Sequence, residues 1–430
     1  MSAARNWRLG VAGLGTVGGG LLALIAERPD FAPAGGTVSV TGVSARSRSR
    51  PRSYDISNLP WFDDPVALAV SPDVDIFVEL VGGSDGPAKA AVEAALRSRK
   101  PVVTANKALI AEHGAELALL AESQGVPLLF EAAVMGGVPA VKMIREALVG
   151  DEIRAVAGIL NGTCNYILTE MEATGRAFDD VLAEAQRLGY AETDPTMDVG
   201  GFDAAHKISI LAALAFGCAP NYAAAEIEGI AGIDQLDIRL ARDLGYRIKL
   251  VASADRTADG VLVRVHPSLA PISHPLAQAG GALNALFIEG ARTGRIFVQG
   301  PGAGAGPTAS AVAADIADVM TGAVRPVFQR PAAELSPFTP VDPAKSIGRA
   351  YLRFMVKDEP GVIAAVSETL AEAGVSIESF LQKPVEDSTG VPIVLTTHAV
   401  AQSVLDAAIA RIAGLPAVLE TPRLLRIARI

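Results

Sequence analysis

The sequence predicts an α/β chain in three parts. These are an open, doubly wound parallel sheet, an α+β unit built on a mixed sheet, and a smaller C-terminal unit of βαββαβ order. Three observations predict it. Over residues 1–140, short apolar runs alternate with helical stretches, the pattern of parallel strands joined by crossover helices. From 141 to 307 that alternation gives way to longer helices separated by a few strands. A proline-rich segment at 325–348, with no clear period, then precedes six short elements.

The elements follow in order. Residues 7–12 form a buried strand, and glycines follow at once. Leu21, Leu22, Leu24 and Ile25 continue at helical spacing. Further strands are expected at 38–43, 75–81, 101–104 and 127–131, with helices at 88–97 and 113–124. In the middle, 141–148, 165–174, 178–188 and 202–216 read as helices and 153–160 and 262–266 as strands. Residues 287–290 and 296–299 read as antiparallel partners joined through Arg292, Thr293 and Gly294. A helix at 308–322 is expected to return to the first unit. After the linker at 325–348, the final unit (349–430) reads as strands at 350–356, 375–382, 392–399 and 423–430 with helices at 362–373 and 402–412. That is the ferredoxin-like order.

Composition narrows the function. With 430 residues, 50% hydrophobic and 20% charged, the chain can bury several cores, at roughly 100–200 residues per domain. The 37 basic against 47 acidic residues give a net charge of −10, which argues against a nucleic-acid partner. Aromatics at 5% argue against base-stacking platforms. The two cysteines, Cys164 and Cys218, make neither a disulfide framework nor a four-thiolate zinc site. There is no leader pattern at the start and no apolar run of ~18 residues, so a cytoplasmic protein with no membrane span is expected.

Residues 13–18, Gly-Leu-Gly-Thr-Val-Gly, match the dinucleotide fingerprint in its proper context, after a strand and opening a helix. Gly13 permits the tight turn, Gly15 admits a pyrophosphate to the backbone, and Gly18 lets the helix close on the strand. Thr16 and Val17 lie inside the motif. At the end of the second strand, where an acid would grip the ribose of NAD, the sequence offers Arg46, Arg48 and Arg50 instead. Arginine pairs with phosphate, so NADP is favoured over NAD, with Arg46 the leading contact. A solvated basic loop is the alternative.

A nicotinamide enzyme acting on an alcohol needs a proton carrier. Asp203 and Lys207 share one helix face at i, i+4. A surface ion pair is the plain reading; against it, the helix continues apolar on most sides, where a charged pair is often functional, and the pattern alone leaves both readings open. Lys107 follows a parallel strand at its carboxyl end, where ligands bind in such sheets. Glu192, Asp194 and Asp198 could hold a substrate ammonium, bind a metal or solvate a loop; the ammonium is favoured. Asn161 or Thr163 either caps a helix or faces substrate. Cys164 has no local histidine to activate it as a nucleophile.

Five motifs together, GLGTVGGG (13–20), VVTANK (102–107), NGTCNYIL (161–168), GYAETDPTMDVGGFDAAHK (189–207) and GPGAGAGPTASAV (300–312), resemble homoserine dehydrogenase. The resemblance covers residues 5–325. It implies a reversible hydride transfer between L-homoserine and L-aspartate 4-semialdehyde with NAD(P), in threonine, methionine and isoleucine synthesis. It implies a Rossmann-type cofactor domain at 1–140 and a catalytic and dimerisation domain at 141–307. Lys207 then matches the proton donor, Asp203 its substrate-binding partner, and Glu192 the acid holding homoserine. Thr104 and Lys107 match positions near the nicotinamide and substrate, with Lys107 the competing catalytic candidate or an electrostatic helper, Gly189 an adjoining cofactor contact, and Gly304 or Gly306 the loop closing over the cofactor. A monovalent cation, Na+ or K+, would take Glu131 and the carbonyls of Val134, Gly136 and Val138. Absence of a kinase portion resembles the monofunctional form, expected as a homodimer or homotetramer. The tail around Asp358-Glu359-Pro360-Gly361 resembles an ACT domain, which implies an amino-acid effector, threonine being the candidate. Two rival readings remain: an aspartate-semialdehyde dehydrogenase, which would need an activated cysteine, and a non-catalytic NADP and amino-acid sensor.

Overall fold

The computed structural model describes residues 5–32, 36–52, 54–383 and 390–430. Six parallel strands make the N-terminal sheet: β1 (Asn6–Ala12), β2 (Thr37–Ser44), β3 (Trp61–Phe62), β4 (Ile76–Glu79), β5 (Val102–Thr104) and β6 (Leu128–Leu129). Their order is β3-β2-β1-β4-β5-β6, so the chain reverses direction across the sheet between β1 and β4. That switch point is where such sheets open a crevice for ligands. The helices are α1 (Thr16–Glu27), α2 (Pro65–Val70), α3 (Pro87–Arg97) and α4 (Lys107–Gln124). Helix α4 starts well before the expected residue 113. The Asn106 side chain accepts from the Leu109 N–H at 3.1 Å and caps it there, which places Lys107 in the first turn, beside the crevice.

The second unit begins with α5 (Ala132–Met135) and α6 (Ala140–Lys142), which runs into a π-helical turn over Met143–Ala147. Then come β7 (Ile153–Ile159), α7 (Gly162–Thr174), α8 (Phe178–Arg187), α9 (Thr196–Val199) and α10 (Phe202–Phe216). Next are β8 (Glu226–Ile227), α11 (Gln235–Asp243), β9 (Tyr246–Thr257), β10 (Gly260–Pro271), α12 (Pro275–Gln278), β11 (Leu283–Gly290) and β12 (Gly294–Pro301). The sheet order is β12-β11-β7-β9-β10, all antiparallel, with β8 parallel to β10. The sequence pattern revealed only a short piece of β10 and missed β9, where polar residues such as Lys249 and Asp255 are buried along with the apolar ones and leave no solvent-facing side to read. Every residue of α10 after Phe202 is buried, so that helix lies inside the molecule rather than on it. Helix α13 (Ala305–Thr321) crosses back onto the first sheet: Val312, Ile316 and Val319 share a core with Leu9 and Val11.

The last unit contains β13 (Ile347–Gly348), β14 (Ala350–Val356), α14 (Val362–Glu372), β15 (Ile377–Gln382), β16 (Val391–Thr397), β17 (Val400–Ala401), α15 (Gln402–Ala413) and β18 (Arg423–Ile427). The main sheet runs β18-β14-β16-β15 and is antiparallel, the ferredoxin-like arrangement. Two features tie the last unit and the expected linker to the rest of the molecule. Strand β18 also pairs with β10, through Ser268–Arg426 and Leu269–Ile427, so the two sheets are one. The 325–348 segment is strapped to the body: the N–H groups of Val327 and Ala332 donate to Glu122 at 3.1 and 2.7 Å, and Phe328 is fully buried against Phe130. Among the described residues no helix is long and apolar enough to cross a membrane.

Candidate active site

The glycine turn after β1 leaves room only where a ligand would need it. Gly13 has φ +99°, and a Cβ there would stand 2.3 Å from the Leu80 carbonyl oxygen. A Cβ on Gly18 would be 2.2 Å from the Gly13 oxygen, whereas nothing lies within 4 Å of one on Gly15. Gly15 caps α1 without any side-chain hydrogen bond, so the first N–H groups of that helix lie free beside open space. The turn thus fits a pyrophosphate. Tyr54 folds over it, its hydroxyl donating to the Leu14 carbonyl at 2.8 Å. Arg50 and Arg52 line the same groove as Gly15 and Thr16. Arg46, the leading candidate from sequence, is exposed and does not line it. Arg52 was missed, although it extends the same arginine run; its guanidinium donates to the carbonyls of Ser47, Arg48 and Arg50 and curls the loop.

From this turn a cleft of about 690 Å³ runs between the first sheet and the second unit. Thr16, Val17, Lys107, Val134, Thr163, Gly189, Glu192, Asp203, Lys207 and Gly304 line it, from seven separate parts of the sequence in which they were singled out. Gly306 and Thr104 do not line it. Thr104 is buried behind it, donating to Glu79 at 2.5 Å and accepting from the Asn106 N–H at 2.9 Å. Glu79, which sequence reasoning passed over as part of an apolar strand, also accepts from the N–H groups of Val81 and Gly82 and fixes the crevice wall.

Asp203 stands at the centre of the cleft, between two lysines. Its Oδ2 accepts from Lys207 at 2.7 Å and its Oδ1 lies 2.9 Å from Lys107 Nζ. Burial opposes charge on Asp203, but Lys207 and Lys107 outweigh it and hold the carboxyl well below its usual range. The lysines differ in kind. Lys207 is buried, and desolvation draws its amine down despite Asp203. Lys107 has 40% of its side chain exposed, and Asp203 pushes it up. Lys207 Nζ also donates to the Leu160 carbonyl at 2.8 Å, which leaves one of its three N–H positions for a ligand.

Asn161 does both things the sequence allowed. Its oxygen caps α7 by accepting from the Cys164 N–H at 2.8 Å, and its amide donates to Asp198 at 2.7 Å and Asp203 at 2.9 Å. Burial raises the Asp198 carboxyl. The Thr163 hydroxyl donates to the Tyr190 carbonyl at 2.7 Å, holding the 189–192 turn at the rim, where Glu192 is exposed.

Behind the cleft, Glu131 is buried, and its two oxygens accept from the N–H groups of Val141 and Lys142 at 3.0 and 2.7 Å. Burial and the neighbouring Asp315 push it up to about 7, and burial pushes Asp315 up to about 6. The Lys142 ammonium lies 3.3 Å from Asp315 and 2.6 Å from Asp318, while its backbone N–H serves Glu131. The Val138 carbonyl accepts from the Ala140 N–H, and Gly136 takes φ +54° against the backbone of Gly302.

Comparison with known proteins gives the family of the chain. Residues 139–317 match the family described as homoserine dehydrogenase, residues 13–131 its NAD-binding domain, and residues 350–417 the ACT domain. A homoserine dehydrogenase of Neisseria gonorrhoeae is 43% identical over 420 residues, 95% of this chain and 96% of that one. The chain belongs to the homoserine dehydrogenase family. The crystal structure of a homoserine dehydrogenase from Thiobacillus denitrificans superposes with a TM-score of 0.93 at 40% identity, covering 100% of this chain and 99% of that one. A hyperthermophilic archaeal homoserine dehydrogenase mutant in complex with NADPH superposes with a TM-score of 0.65 at 28% identity, over 75% of this chain and 99% of that one. As a homoserine dehydrogenase the chain is an oxidoreductase with an NAD(P)-binding domain, a catalytic domain and an ACT domain. The rival readings find no support in the cleft. Cys164 is buried and its thiol is pushed well above its ordinary range by desolvation, then by Asp198 and Asp203, so it is no acyl-accepting nucleophile. A sensor alone leaves the lysine–aspartate–lysine arrangement in the cleft without a use.

Proposed function

We propose that the cleft interconverts L-homoserine and L-aspartate 4-semialdehyde with NADP(H), and that Lys207 carries the proton. The observation behind this is the unequal pair of lysines on Asp203: burial eases Lys207 toward losing its proton, whereas Asp203 keeps Lys107 charged. The nicotinamide, when bound, supplies the hydride acceptor or donor at the carbinol carbon. Lys207 takes the hydroxyl proton during oxidation and returns it to the aldehyde oxygen during reduction. Lys107 stays protonated and steadies negative charge on that oxygen. Glu192, exposed at the rim, meets the substrate ammonium, and Asp203 orients both lysines. Gly13, Gly15 and Gly18 hold the pyrophosphate, with Gly189 and Gly304 flanking the cofactor and Arg50 and Arg52 favouring the phosphate of NADP. Lys207→Ala tests the assignment. Loss of a true proton carrier costs ~10²–10⁴ in kcat; near-wild-type turnover would move the role elsewhere.

The same reading includes a monovalent cation at Glu131, Val134, Gly136 and Val138, supported by the two buried acids there. It includes a homo-oligomer in the cytoplasm, a division of the chain at residues 140, 307 and 349, and a threonine effector at the ACT domain. Unchanged rate and melting temperature in millimolar threonine would remove that effector.

A further inference from the structure

Lys249 lies outside the cleft, yet it is one of the most deeply buried charged groups in the molecule, with 2% of its surface exposed. Its ammonium donates to Asn165 Oδ1 at 2.9 Å, to the Ala279 carbonyl at 2.8 Å and to Thr169 at 3.4 Å. Among the described residues no carboxylate pairs with it. A buried amine with no carboxylate in direct contact is costly, and burial draws it down to about 8 although the more distant Glu172 works to raise it. An apolar side chain would fill the space without that cost, so the hydrogen bonds are what the lysine supplies.

Those bonds converge on one turn. Asn165 passes its amide to the carbonyls of Ala279 and Leu283 at 3.1 and 3.0 Å. Arg247, two residues back on the same face of β9, donates to the Ala277 carbonyl at 3.0 Å. The turn leads into Ala282, Leu283 and Asn284, which line the cleft. Asn284 donates to the Leu160 carbonyl at 3.2 Å, and this is the oxygen that also receives Lys207 at 2.8 Å. The start of α7 leaves no slack, since a Cβ on Gly162 would lie 2.7 Å from the Ala282 oxygen.

We propose that Lys249, acting through Asn165, is a positioning residue that clamps the 277–284 turn and thereby fixes the Leu160 carbonyl and the Lys207 amine. The proposal rests on the assignment of Lys207 as proton carrier. The test uses Lys249→Met, Lys249→Arg and Asn165→Asp in the full chain, with kcat and KM measured at a temperature where each variant is fully folded by circular dichroism. Misplacement by ~1 Å costs on the order of 10² in rate, so Lys249→Met should lower kcat by about 10–100-fold, with KM for NADPH little changed. Lys249→Arg should recover part of it. Asn165→Asp keeps an acceptor for Lys249 but removes the donor to the turn, and should lower kcat similarly; it decides the matter if Lys249→Met does not fold. Wild-type kcat in the folded Lys249→Met and Asn165→Asp variants, with only the melting temperature lowered, would overturn the clamp. Lys207→Ala, run alongside, keeps the two readings apart: its inactivity with active clamp variants refutes the clamp alone, whereas its full activity refutes the proton assignment.

Discussion

Asp203→Asn offers the sharpest test of how the cleft sets its proton chemistry. The substitution keeps the side-chain shape but removes the charge that lies 2.7 Å from Lys207 and 2.9 Å from Lys107. A carboxylate at that range raises a neighbouring amine by ~1–3 pKa units, on the order of 1.4–4 kcal/mol. Desolvation already lowers Lys207, and Asp203 is the main force holding it up, so the amine should fall further by that amount. Both limbs move the same way, but the consequence for rate differs by direction. Oxidation of homoserine needs the neutral amine, so its acidic limb should move to lower pH. Reduction of the semialdehyde needs the ammonium, so its alkaline limb should move down as well, and the rate above that limb should fall. The profiles of kcat/KM against pH, followed by NADPH absorbance in both directions, measure this. Lys107→Met should shift the limb the opposite way, because the Lys107 charge presses Lys207 down. Superimposable profiles for wild type and Asp203→Asn, or shifts of the same sign in both variants, would refute the reasoning.

Two further outcomes are expected. Arg52→Ala should weaken NADPH relative to NADH about tenfold or more, the worth of a charge-assisted hydrogen bond at ~1.5–3 kcal/mol, whereas Arg46→Ala should leave the ratio unchanged in the same fluorescence titration. At Glu131, the folded-state pKa of about 7 stands above the ordinary 4.5, so the carboxyl favours folding below that ordinary value and loses the contribution as pH rises through 7. The melting temperature should therefore fall across this window in calorimetry, Glu131→Gln should flatten the fall, and K+ or Na+ should raise the wild-type value at pH 8 relative to tetramethylammonium at equal ionic strength.

Much of the cleft could be read from the sequence because its residues sit at element ends, where chemistry and spacing are local. Asp203 and Lys207 are neighbours on one helical face, and Gly13, Gly15 and Gly18 are spaced by a single turn. What escaped was set by contacts between distant segments. Glu79 looks like an ordinary end to a strand until Thr104 and two backbone N–H groups close on it. Arg50 and Arg52, not Arg46, line the groove at the glycine turn, where Tyr54 bonds to Leu14 across 40 residues of sequence. Strand β9 was hidden by its own burial, and the pairing of β18 with β10 joins residues whose sequences carry no sign of one another.

That pairing changes how the ACT domain can act. Asp237 of α11 is fully buried and accepts from Arg353 Nε at 2.7 Å and from the Tyr351 hydroxyl at 3.0 Å, both on β14. Arg353 reaches Asp234 as well, at 2.8 Å. A domain fixed by a buried charge pair and a shared strand does not swing as a loose body. Removing one partner of such a pair strands the other and costs ~3–5 kcal/mol, whereas replacing both with apolar groups is often neutral. Asp237→Ala should therefore lower the melting temperature by several degrees, and Asp237→Leu with Arg353→Leu should recover most of it. An unchanged melting temperature in Asp237→Ala would mean that this joint does not hold the domains together. If the joint does hold, an effector on the ACT domain has a hydrogen-bonded path to the catalytic sheet, from β18 into β10 and across to β9, the strand that carries Lys249.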